Sequence, residues 1–569
     1  MKTRNNLLTV EVDQEINSKN KITRESIKNI MNDSLFTPIF DIHIRKQKEL
    51  ALERLKRVVS KKFFSVKDFR SNPENIFTMH EMLGFIDGSL ATKFTVQFNL
   101  FGGTIIGLGS EKHEEVINKL DTLEIIGCFC LTELGYGNNA VEMESTAVWD
   151  ESKKRFIINT PTVNSHKFWI TNGAYHANYS IVFAQTIVKG KNEGINAFLV
   201  KLRNNDGSLE KGVIIDDMGH KMGLNGIDNA RVILKNIEAD SNSLLDRISQ
   251  INPETGEFKS MIKGRRARFI YAANRLLSGR LCIASMMISC SKVGLINTIK
   301  YAKSRLSNGK TGKSDTPIFN YQLFQNQITP LLANTLIYNV ALHDIRAKYC
   351  HYILNEKSYT QTQINEIIRL CCFIKPMISW NTNTIGNVAR ERCGGQGYLS
   401  INLVEAAIYS SHSGITAEGD SAVLMQKVAK EYVEDFSKGE IDIPYDDFSD
   451  DSVKQKYNSL NSLINEDLKE LLLEINSSKI QSDKLLKFSG EIHKLNLLLI
   501  ELHKVRESSL LSQLTEKTVT KPNEIYDTWM LKESDLIQNL SFIYGKRYCF
   551  ESFLNSQLYK NEGKCVEKE

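Results

Sequence analysis

The stretches C-L-T-E-L-G-Y-G-N-N (130–139) and H-K-F-W-I-T-N-G (166–173) decide how this chain is read. Each sets a threonine beside an apolar or aromatic wall and follows it with glycine in a turn. A large planar cofactor needs that combination: a surface to lie against, hydroxyl and backbone donors at its polar edge, and turns that admit close backbone approach. Trp169 is one of 4 tryptophans and stands two residues from Thr171, so on a regular strand both would face the same way. The same residues also read as a strand end with a buried Trp and an N-G hairpin turn. G-Y-G-N-N-A (135–140) matches the dinucleotide fingerprint G-x-G-x-x-A. That fingerprint needs a helix after it, and the following S-T-A-V-W-D and R-F-I-I-N are β-like instead.

Outward from these stretches the texture changes twice. From about 125 to 237, short runs such as S-I-V-F-A-Q and A-R-V-I-L-K-N-I are β-rich and bounded by Asn, Gly and Asp. Before them, I-R-K-Q-K-E-L-A-L-E-R-L-K-R-V-V spaces Leu50, Leu52, Leu55 and Val58 near helical period. After them, R-L-L-S-G-R-L-C-I-A-S-M-M-I-S-C is small or apolar nearly all round, as a buried bundle helix is. The expected organisation is an irregular arm over 1–40, a helical domain over 41–125 and a β-barrel domain over 126–255. A helical bundle over 256–438 and a helical extension over 439–569 complete it. The fold class is therefore α+β, mostly helical, with a central antiparallel β-barrel.

Composition narrows the function. With 41% hydrophobic and 24% charged residues over 569 positions, the chain has the make-up of a soluble globular protein. A net charge of +5 gives no footprint for nucleic acid or anionic membrane. No run of membrane-spanning length is expected. The 10 cysteines form no C-x-x-C and read as reduced, buried thiols, and no metal site is expected. M-K-T-R-N-N-L-L-T-V lacks a secretory apolar core, and K-C-V-E-K-E is no Ser-Lys-Leu-type address. The expected compartment is the cytoplasm for a bacterial chain, with the peroxisome as the eukaryotic alternative.

Three further motifs carry chemistry. In H-S-G-I-T-A-E-G-D-S-A-V (412–423), Asp420 or Ser421 suits the cap of a helix starting at Ala422. Glu418 then lies on the loop before it, either serving the helix dipole or acting as a general base beside a glycine that leaves room for substrate. In E-R-C-G-G-Q-G-Y (391–398), Gly394 and Gly395 allow close approach to a diphosphate or form a helix C-cap. K-G-R-R-A-R (263–268) reads as a solvated helix start, with phosphate contact as the other reading.

The order T-E-L-G-Y-G, K-F-W-I-T-N-G, D-M-G-H-K-M-G-L-N-G-I-D-N (217–229), C-G-G-Q-G-Y, A-E-G-D resembles the acyl-CoA oxidase branch of the acyl-CoA dehydrogenase superfamily, from about 90 to 435. K-F-W-I-T-N-G is nearer the dehydrogenase form of its motif. The resemblance implies FAD held between the β-domain and the bundle, across a homodimer. It matches Thr132 to the flavin-edge threonine, with Gly135 in its turn, and Trp169 and Thr171 to the wall and the N5-side hydroxyl. Glu418 matches the base, which removes the α-proton of an acyl-CoA and leaves a trans-2-enoyl thioester. Its backbone N–H helps to hold the thioester oxygen. Arg305 resembles the arginine that meets the FAD diphosphate from the partner subunit, and Gly394 and Gly395 are taken as cofactor-binding, although the Phe-Gly that follows the arginine in the family is missing and R-L-S-N-G-K-T-G-K-S reads as a longer loop. Asn138 replaces a common hydroxyl residue, and Glu391 a common glutamine. The implied activity is acyl-CoA oxidation with O2 reduced to H2O2. The alternatives are a dehydrogenase passing electrons to another flavoprotein, acting on a CoA or carrier-protein thioester, and an inactive binding or assembly subunit.

Overall fold

The computed structural model describes residues 20–274, 277–442, scattered positions between 444 and 463, 482–519 and 524–556. Helices predominate around a central sheet region. Two compact units divide the chain: Asn20–Ile328 with Thr382–Asp420, and Thr329–Asn381 with the chain from Ser421.

The first unit opens with helices α1 (Lys21–Ile30), α2 (Ile44–Val59), α3 (Glu74–Gly84) and α4 (Gly88–Phe94). A π-helical stretch, Thr95–Gly102, and α5 (Gly103–Leu108) follow. Residues 20–40 were expected to be irregular, yet they contain α1; residues 1–19 lie outside the described set. The helix is held because Ile27 is fully buried and Arg24 pairs with Glu81 at 2.9 Å inside the protein. Along α2, the near-helical spacing of apolar residues buries Leu52, Leu55 and Val58, while Leu50 of the same pattern is only half-buried.

The β region holds strands β1 (Gly127–Cys130), β2 (Thr146–Asp150), β3 (Arg155–Asn159), β4 (Lys167–Ile170) and β5 (Tyr179–Val188). It continues with β6 (Lys191–Lys201), β7 (Val213–Asp217), β8 (Ala230–Leu234) and β9 (Ile237–Ala239). They form a six-stranded sheet in the order β1-β5-β2-β3-β9, with β6 also on β5, and a three-stranded sheet β4-β8-β7. Most pairings are antiparallel as expected, but β1 and β2 both run parallel to β5. They lie end to end along it, Gly127–Cys130 against 179–182 and Thr146 onward against 185–187. The line of strand beside β5 is thus interrupted, and the T-E-L-G-Y-G segment is the chain that leaves the sheet at the break. The core between the strands centres on Trp149, Phe156 and Phe198, whose rings meet edge to face at 4.9 and 5.0 Å.

Helices α6 (Arg265–Asn274) and α7 (Leu277–Ser304) follow. By length and composition alone Arg265–Ser304 could cross a membrane, contrary to the expectation of no such run, but 72% of that apolar window is buried inside the protein. The stretch after Arg305 is not an open loop: Leu306–Asn308 and Ser314–Pro317 pair as a hairpin. Next come α8 (Gln322–Leu354), α9 (Gln361–Arg392), α10 (Val404–Thr416) and α11 (Ser421–Ser437), then α12 (Ser482–Val519) and α13 (Ser534–Asn555).

The second unit is helical and has a polar heart. Tyr432 on α11 donates to Glu507 on α12 at 2.7 Å, and Arg547 on α13 grips the same carboxylate at 2.7 and 2.9 Å. Arg369 pairs with the buried Asp435. Much of the acidic link and the final residues of the expected extension lie outside the described residues. Across both units the nine described cysteines are buried, and none of them is in a disulfide.

Candidate active site

The segment leaving the sheet after β1 folds back beside β4. Phe168 N–H donates to the Thr132 carbonyl at 2.9 Å, Leu134 N–H to the His166 carbonyl at 3.0 Å, and Gly135 N–H to the Asn164 carbonyl at 2.9 Å. A side chain on Gly135 would meet Asn164 Cβ at 2.7 Å, so this pairing needs glycine. Between the two motifs lies a buried ion pair that sequence reading missed. Lys167 Nζ sits 2.9 Å from Glu133 Oε1, both side chains wholly shielded from solvent. The glutamate also accepts from the N–H groups of Glu144 and Ser145, and the lysine donates to the Phe183 carbonyl at 2.7 Å. Burial lowers the Lys167 pKa, and the Glu133 charge pulls it back. Each partner satisfies a charge that would otherwise be stranded. Thr132 and Phe168 are therefore fixed relative to one another by their immediate neighbours.

Trp169 departs from the strand expected for it. Its φ is +61°, and the pairing of β4 with β8 slips between Lys167 and Ile170. Trp169 therefore stands on a bulge with 56% of its surface exposed, and it does not simply share a strand face with Thr171. A bulky residue in the left-handed region is an uncommon, strained conformation that clusters at functional sites. Thr171 begins the turn beyond the strand, and its Oγ1 accepts from Asn229 Nδ2 at 3.0 Å. The N-G pair is a turn, as read, but not a two-residue hairpin. Asn172 has φ +66°, and the chain turns through residues 171–176 before β5.

Glu418 follows α10, after an extended Ala417, on the loop where it was expected. The next helix begins at Ser421, one position before the expected Ala422. Glu418 has φ +58° and Gly419 φ +99°. Two consecutive left-handed residues swing the chain sharply, and the Glu418 carboxylate packs on Gly279 in the first turn of α7. A Cβ built there would lie 2.5 Å from Oε2 and 2.8 Å from Oε1. Gly279 is a further residue that sequence reading missed; its signal was a glycine at the head of a helix made mostly of small and apolar residues.

The remaining candidates lie elsewhere. Arg305 is exposed at the other end of α7, its carbonyl accepting from Ile318 N–H at 2.9 Å. Gly394, with φ +56°, and Gly395 are exposed after α9, and a Cβ on either would meet nothing within 4 Å. Gly397 differs: a Cβ there would strike the Arg390 carbonyl at 2.4 Å, so it closes the helix end.

Comparison with known proteins gives the family of the chain. Residues 274–433 match the family model "Acyl-CoA oxidase, C-alpha1 domain", and residues 128–237 match "Acyl-CoA dehydrogenase, middle domain". The chain is 32% identical to human peroxisomal acyl-coenzyme A oxidase 3 over 410 residues, 70% of this chain and 58% of that protein. It is also 32% identical to peroxisomal acyl-coenzyme A oxidase 2 of Arabidopsis thaliana, covering 72% of this chain and 60% of the relative. The chain thus spans somewhat under two thirds of these relatives' length. Among solved structures, acyl-CoA oxidase 1 of Yarrowia lipolytica superposes with a TM-score of 0.78 at 21% identity, covering 98% of this chain and 80% of the other. An acyl-CoA dehydrogenase of Bacillus anthracis, complexed with FAD, gives 0.69 at 18% identity, covering 97% and 82%. The chain belongs to the acyl-CoA oxidase branch of the acyl-CoA dehydrogenase superfamily.

Proposed function

We propose that this chain is an FAD-dependent acyl-CoA oxidase that converts an acyl-CoA to the trans-2-enoyl-CoA and reduces O2 to H2O2. The observation that carries the reading is Glu418: a carboxylate on a left-handed loop, against a helix whose glycine leaves it room. An α-proton beside a thioester is weakly acidic and needs a positioned base and a stabilised oxygen. Glu418 takes that proton, and its backbone N–H is the proposed donor to the thioester oxygen.

The residues suit FAD. Trp169 offers an exposed aromatic face, Thr132 and Thr171 offer hydroxyls on either side of the Phe168 pairing, and open space borders the backbone at Gly137, Gly394 and Gly395. Bound FAD would supply the two-electron acceptor for the β-hydrogen and pass the electrons to O2. Trp169 would cover one face of the ring, and Gly135 keeps the Thr132 segment close to β4. Gly279 and Arg305 stand 26 positions apart along one helix, about 39 Å at 1.5 Å per residue. One dinucleotide does not bridge that length, so we assign Arg305, with Gly394 and Gly395, to the diphosphate of a second copy in a homodimer. The "peroxisomal" names of the relatives support a peroxisomal compartment, which a fluorescent fusion imaged with a peroxisomal marker tests.

K-F-W-I-T-N-G favours a second reading, dehydrogenation with electrons passed to another flavoprotein. Anaerobic titration of the purified protein with acyl-CoA separates the two. Bleaching of flavin absorbance, then its return in air with one H2O2 per enoyl product, is the expected result. Bleached flavin that stays reduced in air supports the dehydrogenase, and a colourless protein supports a binding or assembly subunit. A Glu418→Gln variant that keeps FAD and full turnover overturns the assigned base.

A further inference from the structure

The turn at 171–177 belongs to no helix or sheet, so its backbone groups need other partners. Buried charges provide them. Asp228, with no exposed side-chain surface, accepts from the N–H groups of Tyr175 at 3.0 Å and His176 at 3.2 Å. Arg203 donates to the carbonyls of Gly173, Ala174 and Ala177. Lys93, reaching across from α4 and equally buried, donates to Asp228 and to Asn172 Oδ1, and contacts His176 Nδ1 at 2.9 Å. A turn so clamped holds its first residue, Thr171, in one place.

Beside Asp228, Asn229 makes the contact that acts on Thr171 itself. Its amide lies 3.0 Å from Thr171 Oγ1 and 3.5 Å from the Trp169 carbonyl. A carbonyl accepts only, so the atom facing both partners is the NH2 group. Asn229 therefore donates to Thr171. The threonine oxygen spends a lone pair on that bond, and its own O–H must point elsewhere. On the reading of this site as a flavin site, we infer that Asn229 fixes Thr171 as a hydrogen-bond donor toward the cofactor. Asn229 is then a positioning residue: it touches no reacting atom and acts through the threonine. The chemistry it selects is an acceptor at the ring edge beside Trp169.

The inference has a polarity test. Asn229→Asp replaces the donor by an acceptor that captures the Thr171 O–H, whereas Asn229→Ala leaves the hydroxyl free to rotate. Thr171→Val removes the hydroxyl outright. With purified full-length holoprotein, the readouts are the visible flavin spectrum and the FAD dissociation constant, with thermal unfolding followed separately. Asn229→Asp is expected to reproduce Thr171→Val: the same direction of spectral displacement and about a tenfold weaker FAD binding, the scale of one lost hydrogen bond. Asn229→Ala is expected to show about threefold, and it keeps the test alive if the aspartate variant does not fold. Variants that lose only unfolding temperature, with spectrum and FAD affinity of the wild type, overturn the inference while leaving the flavin reading intact. A Thr171→Val spectrum identical to wild type overturns it as well. A wild-type protein that binds no FAD overturns both.

Discussion

Gly279→Ala separates fold from chemistry at the proposed base. The new Cβ would stand 2.5 Å from Glu418 Oε2, and ordinary contact begins near 3.4 Å, so the carboxylate must retreat by about 0.9 Å. The obstructing atom is the far end of a flexible side chain, so the backbone need not move. Alanine is also the better helix former by roughly 1 kcal/mol. The variant should therefore fold normally, retain FAD and unfold at or slightly above the wild-type temperature. Catalysis should respond differently, since misplacing a catalytic group by about 1 Å costs on the order of a hundredfold. The assay compares kcat and KM for acyl-CoA oxidation with FAD content and unfolding temperature. A fall in kcat on that scale, with KM and FAD content little changed, is expected. Wild-type turnover in a folded, FAD-loaded Gly279→Ala protein would refute the claim that the Glu418–Gly279 contact sets the base.

Three other outcomes follow from the packing. Gly127→Ala drives a Cβ to 2.0 Å from the Phe101 ring in a closed core, and urea denaturation should show a loss of about 1–3 kcal/mol, the cost of overpacking. Trp169→Gly relieves a left-handed tryptophan, so stability should hold or rise by about 1 kcal/mol while FAD retention on gel filtration falls. Burial pushes the Asp228 carboxyl up, but Lys93 and His176 outweigh it and hold it well below the usual carboxylate range. That group's stabilisation is fully present above the unfolded carboxylate pKa, about 4, and is lost as pH falls through the lower folded value. Lys93→Met strands the charge, so its denaturant midpoint at pH 7 should drop by the equivalent of about 3–5 kcal/mol and recover partly as the solution is acidified.

The legible parts of this fold were those written in local pattern. Helical spacing at Leu52, Leu55 and Val58, the apolar run of α7, and the loop before Ser421 could each be read within a window of one element. Ordered motifs carried the site candidates further, because Thr132, Trp169 and Glu418 stand beside glycines that mark turns. What escaped was set by contacts between distant segments. Glu133 and Lys167 lie 34 positions apart, and Asn229 and Thr171 58 apart; each looked like an ordinary polar residue of its own strand or loop. The N-terminal helix α1 was missed because its anchors, Glu81 and the pocket around Ile27, come from later chain. The parallel seam of β1 and β2 on β5 was hidden because nothing in a strand's alternation reveals the direction of its neighbour. Trp169 was assigned to a regular strand, since a bulge depends on register with β8 rather than on the sequence around it.

The burial of all nine described cysteines takes on a chemical meaning if the product is peroxide. Peroxide oxidises thiolate rather than thiol, and only where it has access. Here burial restricts access, and at two positions it also suppresses the reactive form: it pushes the Cys290 thiol up to about 11 and raises Cys393 as well, whereas at Cys130 burial is outweighed by hydrogen bonds with Cys128 and Ser180 and by the Lys167 charge, and the thiol is lowered. The described thiols are thus shielded from peroxide by the fold. Oxidation of these nine thiols should come with unfolding, so that their loss in added peroxide reports the unfolded fraction, whereas the exposed Met222 and Met261 are open to oxidation in the folded state.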